Sequence, residues 1–475
     1  MRVKEQYRYE KVQERILELI RGGHLSTGDK VPSLRQMSRE MGLSVTTVMK
    51  AYVDMEQDGI LEAKPQSGFY VAGNSSIPSV QCGGERKIEV RRVDKFSMMF
   101  SVCNSMSNPD LVQFGGALPA LDLLPSAELA RTTKYILNNR NDYNSFEKFN
   151  GNPELRHNIA YLMTQNGSNP HRDDIIITSG ATEGISHALR VLTKPGDIVA
   201  VETPLHFGYV RTLETLGVYC LEIPTSPETG MDIDSLDDML QKHDIKAVLL
   251  QANFSNPLGC LMPEENKKRL VRLCEGRGVT VIEDDIYGEL PHSETRPSSL
   301  FSYSETGDVI YVSSFSKTLA PSFRIGWVCP GRHYEEIMNM KLTTVLDTSR
   351  ITQLAISDYL ATGKYSRYIV KVRKTYWQQI ARYRNMIAES FPEGTRITNP
   401  SGGYILWVEL PGETDTFEVY RKAMEEGIGT VPGYLFTTGE NYKNYMRINC
   451  GTPLNERYSS ALKKLGSICA DVAGA

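Results

Sequence analysis

The stretch YVSSFSKTLAPSFRIGWV, residues 311–328, sets a lysine three residues after a serine (Ser314, Lys317) and an arginine seven residues further on (Arg324), with apolar β-type runs on both sides. A lysine in that setting is a surface charge, a phosphate ligand, or a nucleophile that condenses with carbonyl groups. The other strand ends of the same region decide among the three.

From about residue 109 the chain alternates β-type and helical patterns. Candidate strands are 175–178, 198–202, 218–223, 246–251, 279–283, 309–313 and 324–329. Helical stretches between them predict an α/β fold with a largely parallel sheet, the large part covering about 115–355. After about 355 the pattern turns helix-rich. GGYILWVEL (402–410) and YMRINCG (445–451) then add strands, which predicts a smaller α+β subdomain over about 355–475.

Ligands of open α/β sheets bind beyond the carboxyl ends of strands. After 175–178 comes TSGATEGISHAL, where Gly180, Ala181 and Thr182 open a helix and leave backbone N–H groups and a positive dipole end free for a phosphate. After 198–202 comes TPLHFGY, in which His206 or Phe207 could stack on a flat ligand. After 246–251 comes ANFSNPLG with the Asn256 amide, and after 279–283 comes DDIYGEL with Asp284, Asp285 and Tyr287. Pyridoxal phosphate needs this inventory: a lysine for an aldimine, a carboxylate for the pyridine nitrogen, donors for the ring 3-oxygen, a stacking ring and phosphate ligands. Lys317 is then the Schiff-base lysine, Ser314 and Arg324 hold the phosphate, Asp284 the pyridinium with Asp285 as its alternative, and Asn256 and Tyr287 the 3-oxygen.

The N-terminal part reads differently. Val12, Ile16, Leu19 and Ile20 recur at helical spacing up to Gly22-Gly23. Pro32-Ser33 start a second helix, Gly42 ends it, and Ser44 is placed to cap a third carrying Val48, Tyr52 and Met55. ILEAKPQSGFYVAG then reads as a hairpin turning at Pro65-Gln66-Ser67-Gly68. Helix, Gly-bearing turn, helix and hairpin describe a winged helix-turn-helix over 1–73. Lys30, Arg35, Arg39 and Lys50 face a single Glu40 within 30–50, so basic charge gathers where DNA phosphates would lie. Arg35, Ser44, Thr46, Thr47, Lys50 and Gly68 are the expected DNA contacts. Residues 74–108, rich in Ser, Asn and Gly without sustained periodicity, read as a linker, leaving 109–475 as the cofactor-binding domain.

Composition bounds the alternatives. A chain of 475 residues exceeds a single core, and a net charge of −4 excludes a global polyanion binder. The eight cysteines show no metal spacing, so no metal site is expected and reduced thiols are. No apolar run of membrane-spanning length and no signal peptide stand out, which gives a cytoplasmic expectation and no membrane partner.

Residues 109–475 resemble fold-type-I, class I/II aminotransferases through NPLG, DDIY and SFSKTLAPSFRIGW, and residues 1–73 resemble the GntR-type winged helix. Their fusion resembles the MocR-type transcriptional regulators. The resemblance implies that Tyr143, in YNSFEKFNGNPELR, reaches the cofactor phosphate of a neighbouring subunit, hence a homodimer. It also implies that Arg447 clamps the α-carboxylate of an amino-acid ligand, a task suited to a guanidinium fork. The chain departs from the GntR pattern at Val45, where an arginine usually follows the capping serine. Two functions follow: a DNA-binding regulator whose larger domain senses pyridoxal phosphate or a small amino compound through an aldimine at Lys317, or a working aminotransferase of an amino acid, tethered to operator DNA.

Overall fold

Ser33 begins the ordered helix-turn-helix by accepting a hydrogen bond from the Gln36 N–H (3.2 Å), a cap worth about 1 kcal/mol. The computed structural model describes residues 8–21, 24–26, 28–57, 59–64, 67–72, 77–80, 88–92, 96–106 and 108–474; the Gly22-Gly23 stop and the Pro65-Gln66 half of the turn lie outside them. Helix α1 (Arg8–Arg21) buries Val12, Ile16 and Leu17 against α2 (Leu34–Met41) and α3 (Val45–Gln57). Gly42 closes α2 in the left-handed region (φ 63°), and Ser44 caps α3 by accepting from the Thr47 N–H at 3.1 Å. The Tyr52 hydroxyl donates to the Pro32 carbonyl (2.7 Å) and fixes α3 across the start of α2. Strands β1 (Leu61–Lys64) and β2 (Gly68–Val71) pair antiparallel as the wing.

The stretch read as lacking periodicity contains two elements. Strand β3 (Val90–Arg92) joins the edge of the large sheet, and helix α4 (Phe96–Met106) buries Met99 and Val102 in its core. In the sequence of α4, FSMMFSVCNSM, the polar positions Ser97, Ser101, Asn104 and Ser105 are mostly serines, so its amphipathic stripe is weak.

The large sheet follows with β4 (Ile176–Thr178), β5 (Ile198–Thr203), β6 (Tyr219–Ser226), β7 (Ile245–Leu250), β8 (Thr280–Asp284), β9 (Val309–Ser314) and β10 (Gly326–Cys329). Its order is β3-β6-β5-β7-β8-β9-β10-β4, with Gly230–Met231 paired to β6. Strands β6, β5, β7, β8 and β9 run parallel, so their carboxyl ends share one edge. Strands β9 and β10 pair antiparallel, as do β10 and β4. The start of β10 and the end of β4 are thereby brought to the same edge. Expected as a strand from 324, the chain instead places Arg324 at φ 55°, and β10 begins at Gly326. A side chain at Gly326 would meet the Gly180 backbone at 2.6 Å, so two turns can touch there only without a Cβ.

Helix α5 (Ala181–Leu192) follows β4 and α6 (Phe207–Leu216) follows β5. The 27-residue α7 (Lys364–Ser390) leads into the smaller sheet, where β11 (Ile405–Glu409) and β12 (Tyr445–Asn449) pair antiparallel. Helix α7 has two occupied faces. Lys374, Trp377 and Asn385, at compatible helical positions, meet the helix-turn-helix: Lys374 pairs with Glu14 (3.5 Å), Trp377 packs on its core, and Asn385 abuts Gly59. The opposite face buries Tyr376, Ile380, Tyr383 and Ile387. Among the described residues, no helix is long and apolar enough to cross a membrane and no His/Cys/Asp/Glu cluster suits a metal ion.

Candidate functional site

The ends of β4, β5, β7, β8 and β9 on the shared edge deliver polar groups to a single cavity. Its lining includes Ala181, Thr182, His206, Tyr209, Asn256, Asp284, Tyr287 and Lys317. The Lys317 ammonium nitrogen donates to the Ala117 carbonyl at 2.6 Å. Burial pulls this amine down to about 8, the Arg447 charge adds to the effect, and Asp284 opposes it. Such an amine is far more often neutral near physiological pH than a solvated lysine.

Asp284 ends β8, almost wholly buried. Its Oδ2 accepts from the Tyr209 hydroxyl (2.5 Å) and the Gln251 amide (2.9 Å), and its Oδ1 from the Ile286 N–H (3.2 Å). Burial lifts its carboxyl to about 6 against the pull of these donors. Asp285, the alternative, is taken elsewhere: it pairs with Arg296 (2.5 Å) and accepts from the Tyr311 hydroxyl (2.8 Å) and the Asn253 amide (2.9 Å). Successive residues at a strand end point to opposite faces, and Asp284 is the one that reaches the cavity.

The phosphate side is a cradle. Arg324 donates to Ser316 Oγ (3.0 Å), to the Pro321 carbonyl (3.2 Å) and to the Ser179 carbonyl (3.1 Å). It lies across the Gly180 turn so closely that a Cβ there would sit 2.3 Å from its Nη2. Ser314 accepts from the Ser316 N–H (3.3 Å), and Glu183 accepts from the Ser179 N–H at the head of α5.

On the far side, the Arg447 guanidinium is fully buried between the rings of Phe207 and Phe436, 5.1 Å from each. It donates to Asn256 Oδ1 (3.0 Å) and the Gly115 carbonyl, and its Nε has no hydrogen-bond partner among the described residues. His206 Nδ1 lies 3.1 Å from the Asn256 amide nitrogen; burial first, and then the Arg447 and Lys317 charges, hold the imidazole neutral. Of the two candidate stacking rings, His206 lines the cavity and Phe207 faces Arg447. The buried Tyr287 hydroxyl lies beside that of Tyr404.

These features fit pyridoxal phosphate: an amine with a lowered pKa, a buried carboxylate, a buried phenol, a neutral flat ring and a glycine turn beneath an arginine. Tyr143 stands apart, half-buried against Ile136, Leu354 and Ala355. On the DNA-binding side, Arg35, Ser44, Thr46, Lys50 and Gly68 are exposed and Thr47 half-exposed. Sequence reading missed Tyr209, Gln251, Glu202 and Phe436. Tyr209 and Gln251 lay within or beside quoted strand ends, but nothing local shows that they converge on Asp284.

The chain matches the family model "Aminotransferase class I and II" over residues 116–465 and "Bacterial regulatory proteins, gntR family" over residues 8–71. It is 35% identical over 463 residues to the HTH-type transcriptional regulator YjiR of Escherichia coli, covering 97% of this chain and 98% of that protein. It is 30% identical to the 2-aminoadipate transaminase of Thermus thermophilus, covering 75% and 90%. Among solved structures it resembles LysN, the alpha-aminoadipate aminotransferase of Thermus thermophilus complexed with N-(5'-phosphopyridoxyl)-L-leucine, with a TM-score of 0.73, 26% identity, and coverage of 80% of this chain and 100% of that one.

Proposed function

Since the chain belongs to the class I and II aminotransferase family and carries a GntR-family helix-turn-helix domain, the MocR-type arrangement, we propose that it is a transcription regulator whose larger domain responds to a small amino compound at its pyridoxal phosphate site. The observation that carries this reading is the coexistence of a fully formed cofactor cavity with a helix-turn-helix whose reading face, Val45 and Met49 included, is exposed. A metabolic enzyme gains nothing from that face.

Bound cofactor supplies an electron sink for an amino ligand. The chain's own residues do the rest. Lys317 is the amine that carries the cofactor, Asp284 holds the ring nitrogen's charge, and Asn256 and Tyr287 meet the 3-oxygen. His206 covers the ring face, with Phe207 assigned instead to the walls of Arg447. Gly180, Ala181, Thr182, Ser314 and Arg324 hold the phosphate. Arg447 takes the ligand's carboxylate. Arg35, Ser44, Thr46, Thr47, Lys50 and Gly68 meet operator DNA, so the protein works wherever that DNA is. We take residues 1–73, 74–108 and 109–475 as the functional units.

A homodimer is supported by the exposed apolar side chains Leu118, Leu121 (78% exposed), Phe146 (77%) and Phe149, the last two following Tyr143 closely in the sequence. Covering such side chains is what an interface does, and the partner would then contribute Tyr143. A second reading, a tethered aminotransferase, is supported by the intact set of Lys317, Asp284, Asn256 and Arg447. Footprinting of DNA upstream of the neighbouring genes, with and without a panel of amino acids, separates the two: a footprint altered by one of them supports the regulator, and an indifferent footprint with steady turnover supports the enzyme.

A further inference from the structure

Resting on the cofactor reading above, we infer that Gln251 is a positioning residue that holds Asp284 and Asn256 in register beneath the cofactor. Gln251 directly follows β7 and is 3% exposed. Its Nε2 donates to Asp284 Oδ2 (2.9 Å), its Oε1 accepts from the Asn256 N–H (2.7 Å), and its own N–H donates to Glu202 Oε1 (3.2 Å). One side chain thus ties the carboxylate of β8 to the loop that carries Asn256, whose own side chain reaches Arg447 and His206. Glu202 braces the arrangement from β5.

A carboxylate offers about four acceptor positions. Tyr209 and Gln251 occupy both on Oδ2 and the Ile286 N–H takes one on Oδ1, leaving one for a ring nitrogen. Removing the Gln251 donor disfavours the ionised carboxylate and weakens its hold on that nitrogen's proton. The ring's positive charge favours loss of the proton from the nitrogen shared by Lys317 and the cofactor, so a weaker Asp284 moves that titration to higher pH. The other groups facing Asp284 stay in place: Tyr209 from α6, Glu202 from β5, Asp285 and Tyr287 after β8, and Lys317 after β9. Burial pushes the Glu202 carboxyl well above its ordinary range, which favours its uncharged form beside Asp284.

The test is a pH titration of the visible absorbance of the cofactor-loaded full chain and of Gln251→Leu and Gln251→Glu. Gln251→Glu keeps the shape and the acceptor for Asn256 but sets a second acid against Asp284. Both variants should raise the midpoint by about one pH unit, or tenfold, the scale of one hydrogen bond to a charged group, and Gln251→Leu should also release cofactor faster on dialysis. A folded, loaded variant with the original midpoint overturns this inference alone. A parent protein without a visible band overturns the cofactor reading with it.

Discussion

Tyr376 and Trp377 are consecutive residues of α7 that face different domains. The Tyr376 ring lies 4.6 Å from that of Tyr404, which meets the Tyr287 ring edge-on at 5.7 Å inside the cofactor cavity, whereas Trp377 packs on the helix-turn-helix core. Arg373, one turn earlier, donates to the Glu289 carbonyl (2.8 Å), and Glu289 pairs with Arg296, the partner of Asp285. A single helix therefore touches both the reading head and the layer behind the cofactor.

Trp377→Ala should weaken the coupling between ligand and DNA by about 0.5–2 kcal/mol, the scale found for residues between coupled sites. The visible absorbance of the loaded protein should stay unchanged. Operator binding measured with and without ligand checks this, and coupling of undiminished size would assign α7 a purely structural role.

Lys317→Ala should abolish the visible band and the borohydride-fixed label. In the parent, cofactor capture needs the neutral amine. The rate should climb about tenfold per pH unit below about 8 and level off above it, because Lys317 is depressed from 10.5 to about 8. The same shift costs stability in full below about 8; between about 8 and 10.5 the folded chain binds fewer protons than the unfolded one, so stability of the apo protein rises with pH across that interval. Stopped-flow absorbance checks the rate, and a rise continuing unbroken to pH 10 would point to another amine.

Arg35→Ala and Lys50→Ala should each weaken DNA binding and lower the salt slope by about one if they meet phosphates. Gel shifts at several salt concentrations measure both quantities. A salt-independent complex would turn the N-terminal domain into a protein-binding module.

Much of the site was legible because Lys317, Asp284, Asn256 and Gly180 each sit just past an apolar run, where parallel strands share an edge. The choice between Asp284 and Asp285 was not, since adjacency says only that they face apart; the Arg296 pair that occupies Asp285 comes from a distant loop. Tyr209 and Gln251 gain their roles by tertiary approach to Asp284, and no local pattern encodes that. Helix α4 escaped for a different reason: its polar positions are mostly serines, so the contrast between its faces is weak. Arg324, read into a strand, leaves it because its guanidinium must turn back over Gly180.

Arg447→Ala should leave the visible band and basal DNA affinity intact while cutting the effect of any carboxylate-bearing amino compound about 10- to 100-fold, the worth of a charge-assisted pair of hydrogen bonds. Titration of the loaded protein with the amino-acid panel, followed by absorbance, reads this directly. An unchanged response would place the ligand's carboxylate elsewhere.

The central claim is that ligand and operator bias one equilibrium, and linkage makes the bias reciprocal. The most direct measurement is the affinity of the loaded full chain for the amino acid that alters its footprint, determined with and without the footprinted DNA fragment. The regulator reading predicts that the fragment changes ligand affinity by the same factor as the ligand changes DNA affinity, about 5- to 150-fold. Ligand affinity indifferent to DNA, together with rapid turnover of amino donor and keto acid, would contradict it and leave a tethered aminotransferase.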